Sequence, residues 1–156
     1  MAIPVKGPWN EQEVADFLMT QIFPIRLASV PSDGFPRVLS LWYFYADGNL
    51  YCVSHRNSAL SRILRKNESV GFEVSPNDPP YFGVRGQGIA SLSKTGASEA
   101  LSHLIERYCG GTESSLARWL LSRKEEERLI TITPIRFFCW DYRARMADVN
   151  RTKKTV

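Results

Sequence analysis

A two-stranded unit in the first half of the chain constrains the fold more than any other feature. Arg37-Val-Leu-Ser-Leu-Trp-Tyr-Phe-Tyr45 and Leu50-Tyr-Cys-Val-Ser54 are runs of aromatic and β-branched residues, separated by Ala46-Asp-Gly-Asn49. Such residues fit a pleated, half-buried surface. An Asp-Gly pair between two apolar runs signals a tight hairpin, because it accepts the positive φ that such turns require. The chain then passes through His55-Arg-Asn-Ser58 into Ala59-Leu-Ser-Arg-Ile-Leu-Arg-Lys66, where Leu60, Ile63 and Leu64 make one apolar helical face. The expected unit is strand, turn, strand, cationic loop, short helix.

The loop between the second strand and the helix holds Ser54, Arg56 and Ser58. Helix amino ends leave N–H groups unpaired and carry partial positive charge, so this corner is a candidate phosphate seat. Ser54 and Ser58 have an alternative as simple helix caps, and Arg56 as an ordinary loop arginine. Arg62 lies one turn into the helix and is expected to be solvated unless an assembly covers it. An aromatic strand pair leading into a phosphate seat points to a flat, phosphorylated ligand.

Similar reasoning extends to the rest of the chain. Asn10-Glu-Gln-Glu13 reads as a helix cap with glutamate at the third helical position, opening a helix over 11–21. Strands are expected over 25–30, 36–45, 50–54, 69–75, 81–92 and 129–140, six in all. Gly83, Gly86 and Gly88 within the fifth and Pro134 within the sixth mark bulges, bends or close approaches. Helices are expected over 95–109, stopped by Gly110-Gly111, and over 113–122, with Trp119, Leu120 and Leu121 facing inward. The charge run 123–128 reads as solvated, and Arg85 as a partner for Glu73 across the sheet. Six strands with short turns and helices at the periphery give a mainly β, α+β class: a closed antiparallel barrel with peripheral helices. Residues 1–149 are expected to form one domain and 150–156 a basic, flexible tail.

Composition narrows the function classes. The chain has 156 residues and a formal net charge of +4, which suits anionic small molecules and is weak support for nucleic acid. Cys52, Cys109 and Cys139 have no CxxC spacing, so neither a disulfide framework nor a zinc site is expected, and a reducing compartment is the simpler reading. The first residues lack an apolar signal core and no run is long enough to span a bilayer. A cytoplasmic protein without membrane contact is expected.

The ordered set of pieces resembles the pyridoxamine 5′-phosphate oxidase-like family of FMN-binding split barrels, in its flavin and deazaflavin oxidoreductase branch. The pieces are Leu27-Ala-Ser-Val-Pro-Ser-Asp-Gly-Phe-Pro36, Val38 to Phe44, Leu50-Tyr-Cys-Val-Ser54 with Ser58, Leu64 and Asn67, Val70-Gly-Phe-Glu-Val74, Val84-Arg-Gly-Gln-Gly88 and the closing Thr133-Pro-Ile with Cys-Trp-Asp-Tyr142. The resemblance implies a six-stranded antiparallel split β-barrel and a homodimer that binds FMN, or alternatively F420, and passes a hydride to or from a small substrate. Carried over by position, Arg37, Val38, Leu39, Ser40 and Trp42 would line the ring and its side chain, and Ser54 and Ser58 would meet the phosphate, with Arg56 and Arg62 as the cations that reach it from a different direction. One of Trp42 and Trp140 would stack on a ring system. No catalytic residue is named, and the substrate-phosphate residues of a true pyridoxamine-phosphate oxidase find no match. The sequence differs from the family where a basic pair often follows the serine matched to Ser58: Ala59 and Leu60 stand there. That difference supports the alternative, a flavin- or heme-binding storage protein on the same barrel, with His55 as a candidate heme ligand.

Overall fold

The computed structural model describes residues 2–149, so the basic tail falls outside the described residues. Eight strands and four helices follow the order β1 (Val5–Lys6), α1 (Glu11–Thr20), β2 (Ile25–Ser29), β3 (Arg37–Leu41), β4 (Phe44–Ala46), β5 (Asn49–His55), α2 (Ala59–Leu64), β6 (Ser69–Val74), β7 (Phe82–Ser93), α3 (Ala97–Cys109), α4 (Ser115–Ser122) and β8 (Glu127–Asp141). A short 3-10 turn, Lys124–Glu126, leads into β8. The chain is an α+β split barrel, and its strand count differs from the expected six for two reasons.

The first is a break in the expected strand 36–45. The sheet runs β3-β2-β6-β7-β8-β5-β4. Its two end strands, β3 and β4, are therefore one chain segment interrupted at Trp42 and Tyr43. The first half pairs with β2, with Leu39 opposite Leu27, and the second with β5, with Phe44 opposite Tyr51. One segment thus serves both ends of the sheet and curls it into a split barrel.

At the break, buried backbone groups need other partners. The Tyr43 N–H donates to Tyr108 Oη at 3.3 Å, and the Tyr108 hydroxyl lies 3.1 Å from the Phe23 carbonyl and 3.3 Å from that of Tyr43. The Tyr43 ring is fully buried, and its hydroxyl donates to the carbonyl of Leu18 at 2.9 Å.

The second reason is β1, which lies parallel to β8 with Val5 opposite Phe137. The strap passes so close that a side chain at Gly7, φ 137°, would collide with the carbonyl of Cys139. Trp9 fastens it by an indole N–H bond to Asp141 Oδ2 at 3.2 Å.

Other turns follow the sequence closely. Asp47 and Gly48, at φ 50° and 78°, close the β4–β5 hairpin. Asn10 and Glu13 form a reciprocal capping box on α1. Opposite Gln87 and Gly88 stand Arg136 and Pro134, leaving Ile135 as the extra residue of a bulge. Proline, which cannot donate to a ladder, is tolerated there.

Val14, Phe17 and Leu18 of α1 join Leu27, Leu50, Phe72, Val84, Ile130 and Ile132 of the strands in the main core. A second, smaller cluster lies outside the barrel, where α3 and α4 cover Val53 and Trp42. No described helix is long and apolar enough to cross a membrane.

Two side-chain expectations are corrected. Arg85 and Glu73 do stand opposite each other on β7 and β6. Arg85, however, lies over the Phe138 ring, 5.5 Å from its centroid, while Glu73 accepts from the Ser75 hydroxyl. Exposed charges need no mutual pairing, because water already satisfies them. Trp119 is not inward but 55% exposed, its ring carrying the Arg123 guanidinium at 4.7 Å. Of α4, only Ala117 is fully buried, so the short helix lies on the second cluster by one narrow stripe.

Candidate functional site

A cleft of about 560 Å³ opens where the turn after β2 meets α2. Arg37 enters it from the start of β3, Arg62 from α2, and Arg65 and Lys66 from the end of that helix; Ser32 and Asn67 add polar groups. Among the described residues no carboxylate lines it. Asn67 ties the two walls together, its amide donating to the Val30 carbonyl at 3.1 Å. Arg62 and Arg65 each give one N–H to the preceding loop, to the carbonyls of Asn57 and Arg56, both at 2.7 Å. A guanidinium has five N–H donors, so both keep donors for an anion.

The serines form a separate chain of hydroxyls at the start of α2. Ser58 is the N-cap, accepting from the Ser61 N–H at 3.0 Å, and its Oγ lies 2.7 Å from that of Ser54. Ser61 in turn donates to the His55 carbonyl at 2.8 Å. Arg56 is paired with Glu126 and its N–H donates to the Glu126 carbonyl. His55 Nδ1 accepts the Asn57 N–H at 3.0 Å. Ser54, Arg56 and Ser58 therefore do not line the cleft.

The remaining sequence candidates distribute along β3 and the outer sheet face. Leu39 packs on the main core. Ser40 and Trp42 line a second, smaller pocket of about 290 Å³ beneath α3 and α4. Trp42 stacks on Tyr108 with ring centroids 5.2 Å apart and planes within 5°. Val38 points to the outer face of the sheet and lines a groove with Arg85, Gln87 and Phe138. Trp140 lies in register with Gly83 on β8 and lines an adjoining groove that shares Glu73, Arg85 and Phe138. The structure thus unites Arg37 with Arg62, and Ser40 with Trp42, and separates Val38, Trp140 and Arg56 from both.

Sequence reasoning missed Arg65, Lys66 and Glu127. The first two were legible: Arg62, Arg65 and Lys66 follow i, i+3, i+4 spacing, which puts them on one helical side. Glu127 was concealed in a charge run that reads as solvated, yet it is almost fully buried, with Arg123 Nε on its Oε1 at 2.9 Å. Burial pushes the Cys52 thiol up to about 12 and raises Tyr43 and Tyr108 above the usual phenol range. These groups are protonated near neutrality.

No family model matches the chain, and no curated protein does. Solved structures do. The conserved hypothetical protein Rv2991 of Mycobacterium tuberculosis superposes with a TM-score of 0.73 at 23% identity, covering 87% of each chain. An F420 reductase gives 0.68 at 21%, over 83% of this chain and 97% of its own. A putative pyridoxamine 5′-phosphate oxidase from Listeria innocua gives 0.63 at 21%, over 83% and 96%. The chain accordingly has the split-barrel fold of the pyridoxamine 5′-phosphate oxidase-like and F420 reductase structures.

Proposed function

We propose that the protein is an oxidoreductase that binds a phosphorylated flavin or deazaflavin, FMN or F420, with the phosphate in the cleft of Arg37, Arg62, Arg65 and Lys66. The observation that carries this reading is the cleft itself: four cations and no carboxylate around one opening. Charge-assisted bonds of this kind are the strong ones. The cations also supply what Ala59 and Leu60 lack, from one turn further along α2.

When bound, such a cofactor supplies the hydride chemistry. The chain's own residues hold and orient it. Arg37 stands at the start of β3, and β3 pairs with β2 alone, so one row of its backbone N–H and C=O groups is free of the sheet. That edge offers alternating donors and acceptors to a planar polar ring. Among the groups lining the cleft there is no general acid or base other than the cations, which supports a role for the protein in position and electrostatics. The same feature keeps open a second reading, storage of a flavin or heme without turnover.

A homodimer belongs to this proposal. Among the described residues no helix residue lines the groove around Val38, Arg85 and Phe138, and Val38 there is 66% exposed. A second copy would cover it. Sedimentation checks this: a dimer is expected, and Val38→Glu should shift it toward monomer. Binding itself is checked by titrating FMN and F420 against Arg62→Ala. Loss of one charge-assisted contact is expected to weaken binding roughly tenfold.

A further inference from the structure

The pocket beneath α3 and α4 is separate from the cation cleft and has a different chemistry. Its walls are Trp42, Leu101 and Leu104 of α3, Leu116 and Leu120 of α4, and Glu127 at the start of β8. At about 290 Å³ it has the volume of a small-molecule site and is too small for a macromolecular segment of any length. Leu116 and Leu120 are one turn apart on α4, and Leu116 is 47% exposed although α4 has an apolar side to bury. Leu120 packs against the cluster of Leu101, Ile105 and Ala117, and Leu116 stays at the open mouth of the pocket.

The polar content is selective. Ser40 lies at the edge and Glu127 is the charged group in the lining. A buried carboxylate is costly unless hydrogen-bonded. Arg123 holds Oε1, and among the described residues no hydrogen bond reaches Oε2. The guanidinium is turned to Glu127 and the Trp119 ring and does not itself line the pocket. The lining thus combines apolar walls, an aromatic surface, the Ser40 hydroxyl and Glu127, a carboxylate shared with an adjoining pocket that holds Lys94 and Lys124; among the described residues no cation lines this one.

We propose that this pocket binds an uncharged, ring-sized apolar molecule carrying one O–H or N–H donor, which Glu127 accepts. Its location next to Ser40 and Trp42, on the strand that begins at Arg37, places such a molecule beside the proposed cofactor edge. The binding proposal does not depend on the cofactor.

Three probes of one shape test it by calorimetry: 2-naphthol, which is neutral and has a donor at pH 7, naphthalene, and 2-naphthoate. The expected order is 2-naphthol tightest, naphthalene roughly tenfold weaker for want of a charge-assisted bond, and 2-naphthoate undetectable. Leu116→Lys, at an exposed position, should abolish 2-naphthol binding without lowering the melting temperature. Glu127→Gln should narrow the gap between 2-naphthol and naphthalene. Equal binding of all three probes, no binding of 2-naphthol up to its solubility, or unchanged binding by Leu116→Lys would overturn the proposal. These results are independent of whether FMN or F420 binds.

Discussion

At the residue scale, two titrating groups set opposite limits on stability. Asp141 is held at about 2, chiefly because Arg143 hydrogen-bonds its carboxylate, with the Trp9 indole helping. Its unfolded value is roughly 3.9. The folded carboxyl is therefore the stronger acid, and its stabilisation is fully present above about pH 4 and lost as pH falls toward 2. Arg143 is half-exposed, so the effect is small, less than about 1 kcal/mol. Acid unfolding of Asp141→Asn should show a flatter limb across that window. Tyr43 works the other way. Burial raises its pKa, so its stabilisation is complete below about pH 10 and declines as pH rises beyond it. Tyr43→Phe should flatten the alkaline limb and, by removing the hydroxyl's bond to the Leu18 carbonyl, which keeps only the longer contact from Arg107 at 3.5 Å, cost about 1 kcal/mol in urea unfolding at pH 7.

The sequence discloses such residues unevenly. The cap at Ser58 was legible because a hydroxyl before an apolar helical run has few other uses. Tyr108 as the partner of the broken strand was not, because it lies 65 residues from Tyr43 and only the packing of α3 on the barrel brings them together. Glu127 was illegible for the same reason: a glutamate in a run of six charged residues looks solvated until the tertiary fold buries it.

At the element scale, the close contacts of β7 and the start of α2 make the sharpest predictions. A side chain at Gly86 would run into the Phe72 ring and the Arg136 carbonyl at 2.7 Å. Neither a backbone oxygen nor a core ring can withdraw cheaply, so Gly86→Ala should destabilise by about 2 kcal/mol or more in urea unfolding. Ser58→Ala removes the N-cap of α2 and should cost about 1 kcal/mol. Because α2 carries Arg62, the same variant should also weaken anion binding modestly, although Ser58 does not line the cleft.

Strand existence was readable from composition and alternation, and strand continuity was not. Residues 36–45 look like one strand since Val38, Trp42, Tyr43, Phe44 and Tyr45 favour β structure and no turn signal interrupts them. The break comes from the need to close a curled sheet, a property of the ring of strands rather than of the segment. Likewise β1 is two residues long and has no pattern of its own; β8 confers its extended form.

At the scale of the whole molecule, the split in the sheet and the cation cleft have a common origin. The segment that closes the barrel begins at Arg37, and the turn before it forms one wall of the cleft opposite α2. A barrel was legible because turns and apolar runs agreed with one topology; that it is split was carried by the family resemblance, since the break at Trp42 and Tyr43 has no local signal. The cleft was half legible. Arg37 was read as a ring contact and Arg62 as solvated unless covered, whereas the loop residues Ser54, Arg56 and Ser58, which a local reading favours, form hydrogen bonds among themselves and with Glu126.

The central claim is that this cleft holds the phosphate of a flavin-type cofactor. Equilibrium titration of the purified protein with FMN and with F420, followed by fluorescence, tests it most directly when Arg37→Ala, Arg62→Ala and Arg56→Ala are run alongside. Micromolar binding of one cofactor, weakened roughly tenfold by either of the first two substitutions and little by the third, is the predicted result. Binding of neither cofactor, or binding that falls with Arg56→Ala and ignores Arg37 and Arg62, would contradict it.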